Sequence, residues 1–213
     1  TYLGIMDDLK IRRMNKEAYD LVSFEGDPIS YPYGQGYEQF IEGLVAIFPE
    51  ERAGIEKFTN EVKRVCQSFP LYNLESIEDP MKYMNRLNIN AKYFIETCTD
   101  NPKLQKVLGG TSPLFAGEGD KTPFYVLALV INSYIESSWK FVDGGAQIAK
   151  SLVKQLRKYG GHLIKHADVK KILFDDKMAT GVQTADGREF YCDMIVGNAH
   201  AAVTLEMVEP GKW

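Results

Sequence analysis

Adjacent carboxylates stand at Asp7-Asp8, Glu50-Glu51 and Asp175-Asp176. Paired acids could share general acid–base work, but neighbours in sequence point apart along a strand or a helix. Two of the pairs fall at a turn and a helix start, where acids are expected for capping alone. His162 and His166 stand at i and i+4, ligand spacing on a helix. They lie in a run rich in β-formers, so a structural or surface role is expected and no metal site. Cys66, Cys98 and Cys192 form no Cys-x-x-Cys, which is neither a disulfide framework nor a zinc pattern and fits a reducing compartment. Neither a Gly-x-Ser-x-Gly elbow nor a His-Glu-x-x-His pair occurs, so hydrolytic chemistry has no visible carrier.

Two glycine patterns imitate nucleotide loops. Gly34-Gln35-Gly36 resembles half a dinucleotide fingerprint, but the third glycine is missing and Tyr31-Pro32-Tyr33 is a poor preceding strand. A loop opening a helix is the expectation there. In the segment from Gly117 to Thr122, Asp120 separates the last glycine from Lys121. An acid at that point would repel phosphate, so no phosphate loop is expected.

The aromatics carry more information. Phe124, Tyr125, Tyr134, Trp139 and Phe141 lie within eighteen residues, around the eight-residue apolar run from Phe124 to Ile131. Such a cluster reads as core, or as the wall of a long apolar ligand pocket. On the second reading, Tyr125, Tyr134, Trp139 and Phe141 are the candidate pocket residues.

Stepping outward, period-two segments near residues 9–12, 19–24 and 29–33 predict a small antiparallel sheet turning at Gly26-Asp27-Pro28. Helical periodicity follows through Phe40, Leu44 and Phe48, then through Ile55, Phe58, Val62, Val65 and Phe69, with stops at Pro49 and Pro70. Residues 79–109 read as helical, broken at Asp100-Asn101-Pro102. Thr122-Pro123 should cap a buried helix running to about Ser137. A further helix carries Ile148, Leu152, Val153 and Leu156. Short strands are expected at 162–165, 169–174, 178–184 and 194–196, with turns at Asp175-Asp176-Lys177 and Asp186-Gly187. The fold class is therefore α+β. Antiparallel or mixed sheet elements come from both ends, and a helical region near residues 35–138 covers them.

The 213 residues carry 25 Lys plus Arg against 29 Asp plus Glu, a net charge of −4. That balance lacks the basic footprint of a nucleic-acid binder, and no run approaches the roughly 20 apolar residues that span a bilayer. A cytoplasmic chain is expected. The chain begins at Thr1 rather than Met and stops at Trp213, which suggests an internal piece of a longer protein.

One stretch is specific. It runs Trp139, Phe141, Gly144-Gly145, a helix, Gly160-Gly161, Val169 to Ile172, Gly181-Val182, Asp186-Gly187, then Asp193, Ile195, Val196 and Asn198. This pattern of about 60 residues resembles flavin-dependent oxidoreductases of the phytoene desaturase, carotenoid isomerase and retinol saturase group, within the amine-oxidase-like superfamily. The helix ending Ile47-Phe48-Pro49-Glu50 resembles that group's substrate-side helices. The group's Gly-x-Gly-x-x-Gly, which cradles the pyrophosphate at a helix start, is absent, as is its closing glycine-containing segment.

The resemblance implies a substrate-side region over 1–138 and an incomplete FAD-binding domain over 139–213. It implies FAD as cofactor in the intact protein, with NAD(P) as an open reductant. Val169 and Asn198 are the positions it assigns to the cofactor, Val169 through backbone pairing with the adenine edge. The implied partner is an apolar polyene or isoprenoid-like small molecule, which peripheral membrane contact would help it reach. It assigns no catalytic residue to this stretch. An amine-oxidase-type flavoprotein and a non-catalytic lipid-binding or interaction module are the alternatives.

Overall fold

The computed structural model describes residues 2–76 and 89–211. Part of the helix expected over 79–109 lies outside the described residues. The chain forms two compact units. One spans Asp7–Gln147; the other joins the N-terminal segment through Met6 to the chain from Ile148 onward.

The first unit is helical around a small sheet. Its helices are α1 (Tyr37–Val45), α2 (Arg52–Gln67), α3 (Ala91–Cys98), α4 (Pro102–Leu108) and α5 (Phe124–Glu136). The stripe predicted for α2 is buried: Ile55, Phe58, Val62, Val65 and Cys66 recur at three and four residues and face the core. They meet Phe40 and Leu44 of α1 and Phe124, Leu127 and Ile131 of α5 in one continuous apolar cluster. Phe94 and Phe58 both contact the Phe124 ring, at centroid distances of 4.3 and 6.0 Å. Between α2 and α3 the backbones come very close, since a Cβ on Gly54 would stand 2.2 Å from the Cys98 carbonyl oxygen.

Helix starts follow local chemistry. Asn101 caps α4, its Oδ1 accepting from the Lys103 and Leu104 amides at 3.0 and 3.2 Å, with Pro102 in the first turn. Asn90 caps α3 in the same manner through the Tyr93 amide. Helix α5 differs from expectation by one residue: Pro123 takes the capping position and Thr122 stays outside. The Thr122 carbonyl instead accepts from the Ala91 amide at 2.8 Å, tying the two helix starts together. Gly34 to Gly36 is the loop that opens α1; Gly36 caps it at φ 87°, a left-handed conformation suited to glycine.

The predicted N-terminal sheet is rearranged. β2 (Asp20–Ser23) and β3 (Ser30–Tyr33) form the expected hairpin, but β1 (Ile11–Arg13) leaves it and pairs with β4 (Trp139–Phe141). The reason is the polar anchor Gln35. Its side chain accepts from Arg13 Nε at 2.9 Å and donates to the Met14 carbonyl at 2.9 Å, beside Ser138, so β1 is held next to β4.

The second unit takes in most of α6 (Ala146–Lys158), an antiparallel sheet in the order β5 (Val169–Asp175), β6 (Met178–Thr184), β7 (Glu189–Tyr191), and α7 (Ala201–Glu206). Both predicted turns are present, with Gly187 at φ 84° closing the second. The strands expected at 162–165 and 194–196 are irregular instead, because no described segment offers either of them a ladder. Among the described residues, the unit buries Ile5 and Ile172 alone of its large apolar side chains. Leu152, Leu156, Leu163, Ile164, Met194, Val196, Val203 and Leu205 stay exposed.

Candidate functional site

Val169 sits at the start of β5, half-buried, opposite Thr184 of β6. The Ala185 amide donates to the Asp168 carbonyl at 2.8 Å, which puts the Val169–Thr184 pair in the non-hydrogen-bonded position of the ladder. The Val169 N–H and C=O therefore point away from β6, toward the outer edge of the sheet. Three residues on, that edge is covered, because the Ile172 amide donates to the Met207 carbonyl at 2.9 Å. A β-bulge between Val169 and Lys171 separates the open stretch from the covered one. At the far end of the hairpin, the Arg188 guanidinium and the Thr184 hydroxyl hold the Asp186 carboxyl well below the usual carboxylate range. That fixes the turn and with it the register of β6. Asn198 is exposed, in the irregular segment just before α7, whose cap is the His200 Nδ1 accepting from Ala202 at 3.2 Å.

The four candidate aromatics do not gather around one cavity. Tyr125 and Tyr134 are nine residues apart on α5, about two and a half turns, and so leave opposite faces. Tyr125 stacks on Phe69 at 5.9 Å, and Tyr134 stacks on Tyr19 at 6.0 Å. Trp139 and Phe141 alternate on β4 and share a face of the ribbon with Ile11 and Arg13. Trp139 is exposed, with its Nε1 donating to Ser137 Oγ at 2.5 Å, and Phe141 is half-buried.

Sequence reasoning missed two cavities in the helical unit, because their linings come from several elements and follow no motif. One, of about 340 Å³, is polar and lies beside Tyr37, Cys66, Tyr72 and Asn132. Asn132 is 2 % exposed, takes the Tyr37 hydroxyl on Oδ1 and donates from Nδ2 to the Tyr72 hydroxyl at 3.0 Å. Burial raises Tyr37 and Tyr72 above the usual phenol range, and pushes the Cys66 thiol up to about 12 with help from the Glu136 charge. These groups are neutral donors and acceptors, not nucleophiles. The other cavity, of about 360 Å³, is mainly apolar and is walled by α3, α4, α5 and the loop carrying Glu118 and Gly119. Among the described residues no three His, Cys, Asp or Glu side chains come together as a metal site. His162 and His166 are both exposed.

The chain is similar over most of its length to all-trans-retinol 13,14-reductases and prolycopene isomerases. It is 27 % identical over 215 residues to human all-trans-retinol 13,14-reductase, covering 91 % of this chain and 35 % of that protein. It is 28 % identical over 189 residues to the chloroplastic prolycopene isomerase 2 of an Oncidium hybrid cultivar, covering 81 % and 32 %. The chloroplastic prolycopene isomerase of Arabidopsis thaliana is 27 % identical over 179 residues, covering 76 % and 30 %. The chain thus spans about a third of the length of the curated relatives it matches. No family model matches. Among solved structures, RAB GDI from Plasmodium falciparum aligns at a TM-score of 0.44 and 14 % identity over 89 % of this chain and 43 % of that one, a likeness on which no argument rests.

Proposed function

We propose that this chain is part of a longer FAD-dependent oxidoreductase of the desaturase, saturase or isomerase type, acting on an apolar polyene or isoprenoid-like substrate. The observation that carries the reading is its similarity, over most of its own length, to both retinol reductases and prolycopene isomerases. Those relatives are about three times as long, and among the described residues the second unit leaves fourteen large apolar side chains exposed against two buried ones. A domain that buries so little is one whose core is completed by more chain. This supports an incomplete FAD-binding domain from Ile148 onward, within the 139–213 span that the resemblance implies, and a substrate-side region before it.

The residues present fit the flavin in one respect that can be read from geometry. The Val169 N–H and C=O face an open sheet edge, and the amide has no acceptor among the described residues, as pairing with an adenine edge requires. Val169 would hold the adenine through its backbone, while Asn198 would lie on the cofactor side of the domain. The flavin, when bound, supplies the electron and hydride chemistry. The protein's part here is orientation and exclusion of water. No carboxylate or histidine of the chain is assigned as acid or base. Trp139, Phe141 and Ile11, side by side on the ribbon, are the apolar contacts offered to a polyene, with Tyr134 and Tyr125 acting at separate points of the helical unit.

The test is flavin binding by the complete reading frame and by the 213-residue chain. The complete protein should hold one FAD per chain and the shorter chain little or none, because pyrophosphate binding rests on helix-start amides in the Gly-x-Gly-x-x-Gly turn it lacks. Stoichiometric flavin on the 213-residue chain, or none on the complete protein, would count against the proposal.

A further inference from the structure

The apolar cavity of the helical unit plays no part in the flavin reading, and its chemistry points to a ligand of its own. Its floor is Leu127, Ile95 and Ala91, which are 1, 5 and 6 % exposed. Its volume of about 360 Å³ falls within the range of small-molecule pockets, roughly 300–1,000 Å³. The rim carries Lys92, Glu96, Lys106 and Glu118. Glu96 is paired with Lys92 at 3.9 Å and Glu118 with Lys121 at 2.5 Å. Lys106, in the last turn of α4, has no carboxylate within ion-pair distance among the described residues. An apolar floor beside a lysine that has no ion-pair partner among the described residues is complementary to an apolar chain ending in an anion.

We infer that this cavity binds a single-chain amphiphile with a carboxylate head, the tail lying on Leu127, Ile95 and Ala91 and the head meeting Lys106. A neutral hydrocarbon would fill the floor and leave Lys106 unused. A compact anion would meet Lys106 and leave the floor wet. Only a molecule with both parts uses what the cavity offers. Gly119 stands at the mouth with backbone angles open to any residue, and a Cβ there would meet only Lys92 Cδ, at 3.7 Å. A side chain at 119 can therefore close the mouth without entering the core.

Calorimetric titration of the 213-residue chain with dodecanoate and with dodecan-1-ol, both below micelle formation, tests this directly. Dodecanoate should bind once per chain and about fivefold more tightly than the alcohol, the gain expected of one partly exposed ion pair. Lys106→Met should bring the two ligands to parity by weakening only the carboxylate. Gly119→Phe should abolish binding of both at unchanged melting temperature. Absence of saturable binding, equal affinities in the unaltered chain, or binding that survives Gly119→Phe in a folded protein would overturn the inference. Lys106 is on the surface, so the head-group comparison stands even if the 119 variant fails to fold. None of these readouts involves flavin, so this inference and the flavin proposal fail separately.

Discussion

The Tyr37 hydroxyl donates to Asn132 Oδ1, tying the first turn of α1 to the buried face of α5. Asn132 completes the link by donating to the Tyr72 hydroxyl at 3.0 Å. An amide inside an otherwise apolar helix is tolerable only because both of its ends are used. Asn132→Leu keeps the volume and strands two tyrosine hydroxyls, so it should cost about 1–3 kcal/mol. Urea unfolding of the variant checks this, with a lower midpoint and an unchanged slope as the expected result.

The three thiols should differ sharply. Cys66 and Cys98 are buried and Cys192 is exposed, and burial pushes the thiols of Cys66 and Cys98 above the usual range. A low thiolate fraction and poor access act together. One thiol per chain should react with an aromatic disulfide reagent at mildly alkaline pH, and three after denaturation. Two or more fast thiols in the native chain would contradict the packing of α2 against α3 and α5.

In the helical unit, Asp27 should be one source of acid sensitivity. The Lys103 ammonium at 2.7 Å, then the Ile29 amide and the Tyr31 hydroxyl, hold its carboxyl down to about 2. A carboxyl depressed in the folded state stabilises the fold above its unfolded value, here 3.8, and that contribution is lost as the pH falls toward 2. Asp27→Asn should lower the melting temperature at neutral pH and flatten the acid limb between about pH 4 and 2. A parallel acid limb in the variant would show that other groups control it.

At Val169 the ladder position separates the roles of backbone and side chain. Since its N–H faces outward, Val169→Pro removes a donor without removing a sheet hydrogen bond, at a kind of strand position that tolerates proline. In the complete protein it should weaken flavin binding by about 0.5–1.5 kcal/mol, while Val169→Ile leaves it unchanged. Flavin titration alongside a melting control decides; unaltered affinity in a folded Val169→Pro protein would remove the adenine assignment.

Elements whose signals are local were legible in the sequence. The stripe of α2, the Asn101-Pro102 cap and the turns at Asp175-Asp176-Lys177 and Asp186-Gly187 depend on neighbours a few residues away. The partner of β1 was not legible, because three-residue strands carry too little pattern to choose between β2 and a segment at the far end of the unit. Gln35 makes that choice through tertiary hydrogen bonds. How the aromatics are distributed was not legible either: closeness in sequence along α5 becomes opposite faces once the helix turns. The cavity beside Lys106 was invisible, since α3, α4, α5 and a loop each supply part of it.

Anaerobic mixing of the purified complete protein with an apolar polyene, followed through flavin absorbance, is the deciding measurement. The flavin spectrum should respond to a retinoid or carotenoid, with a changed double-bond pattern in the recovered polyene, and should not respond to primary amines. A flavin that answers to amines and ignores polyenes, or a folded protein that holds no flavin, would contradict the proposed function.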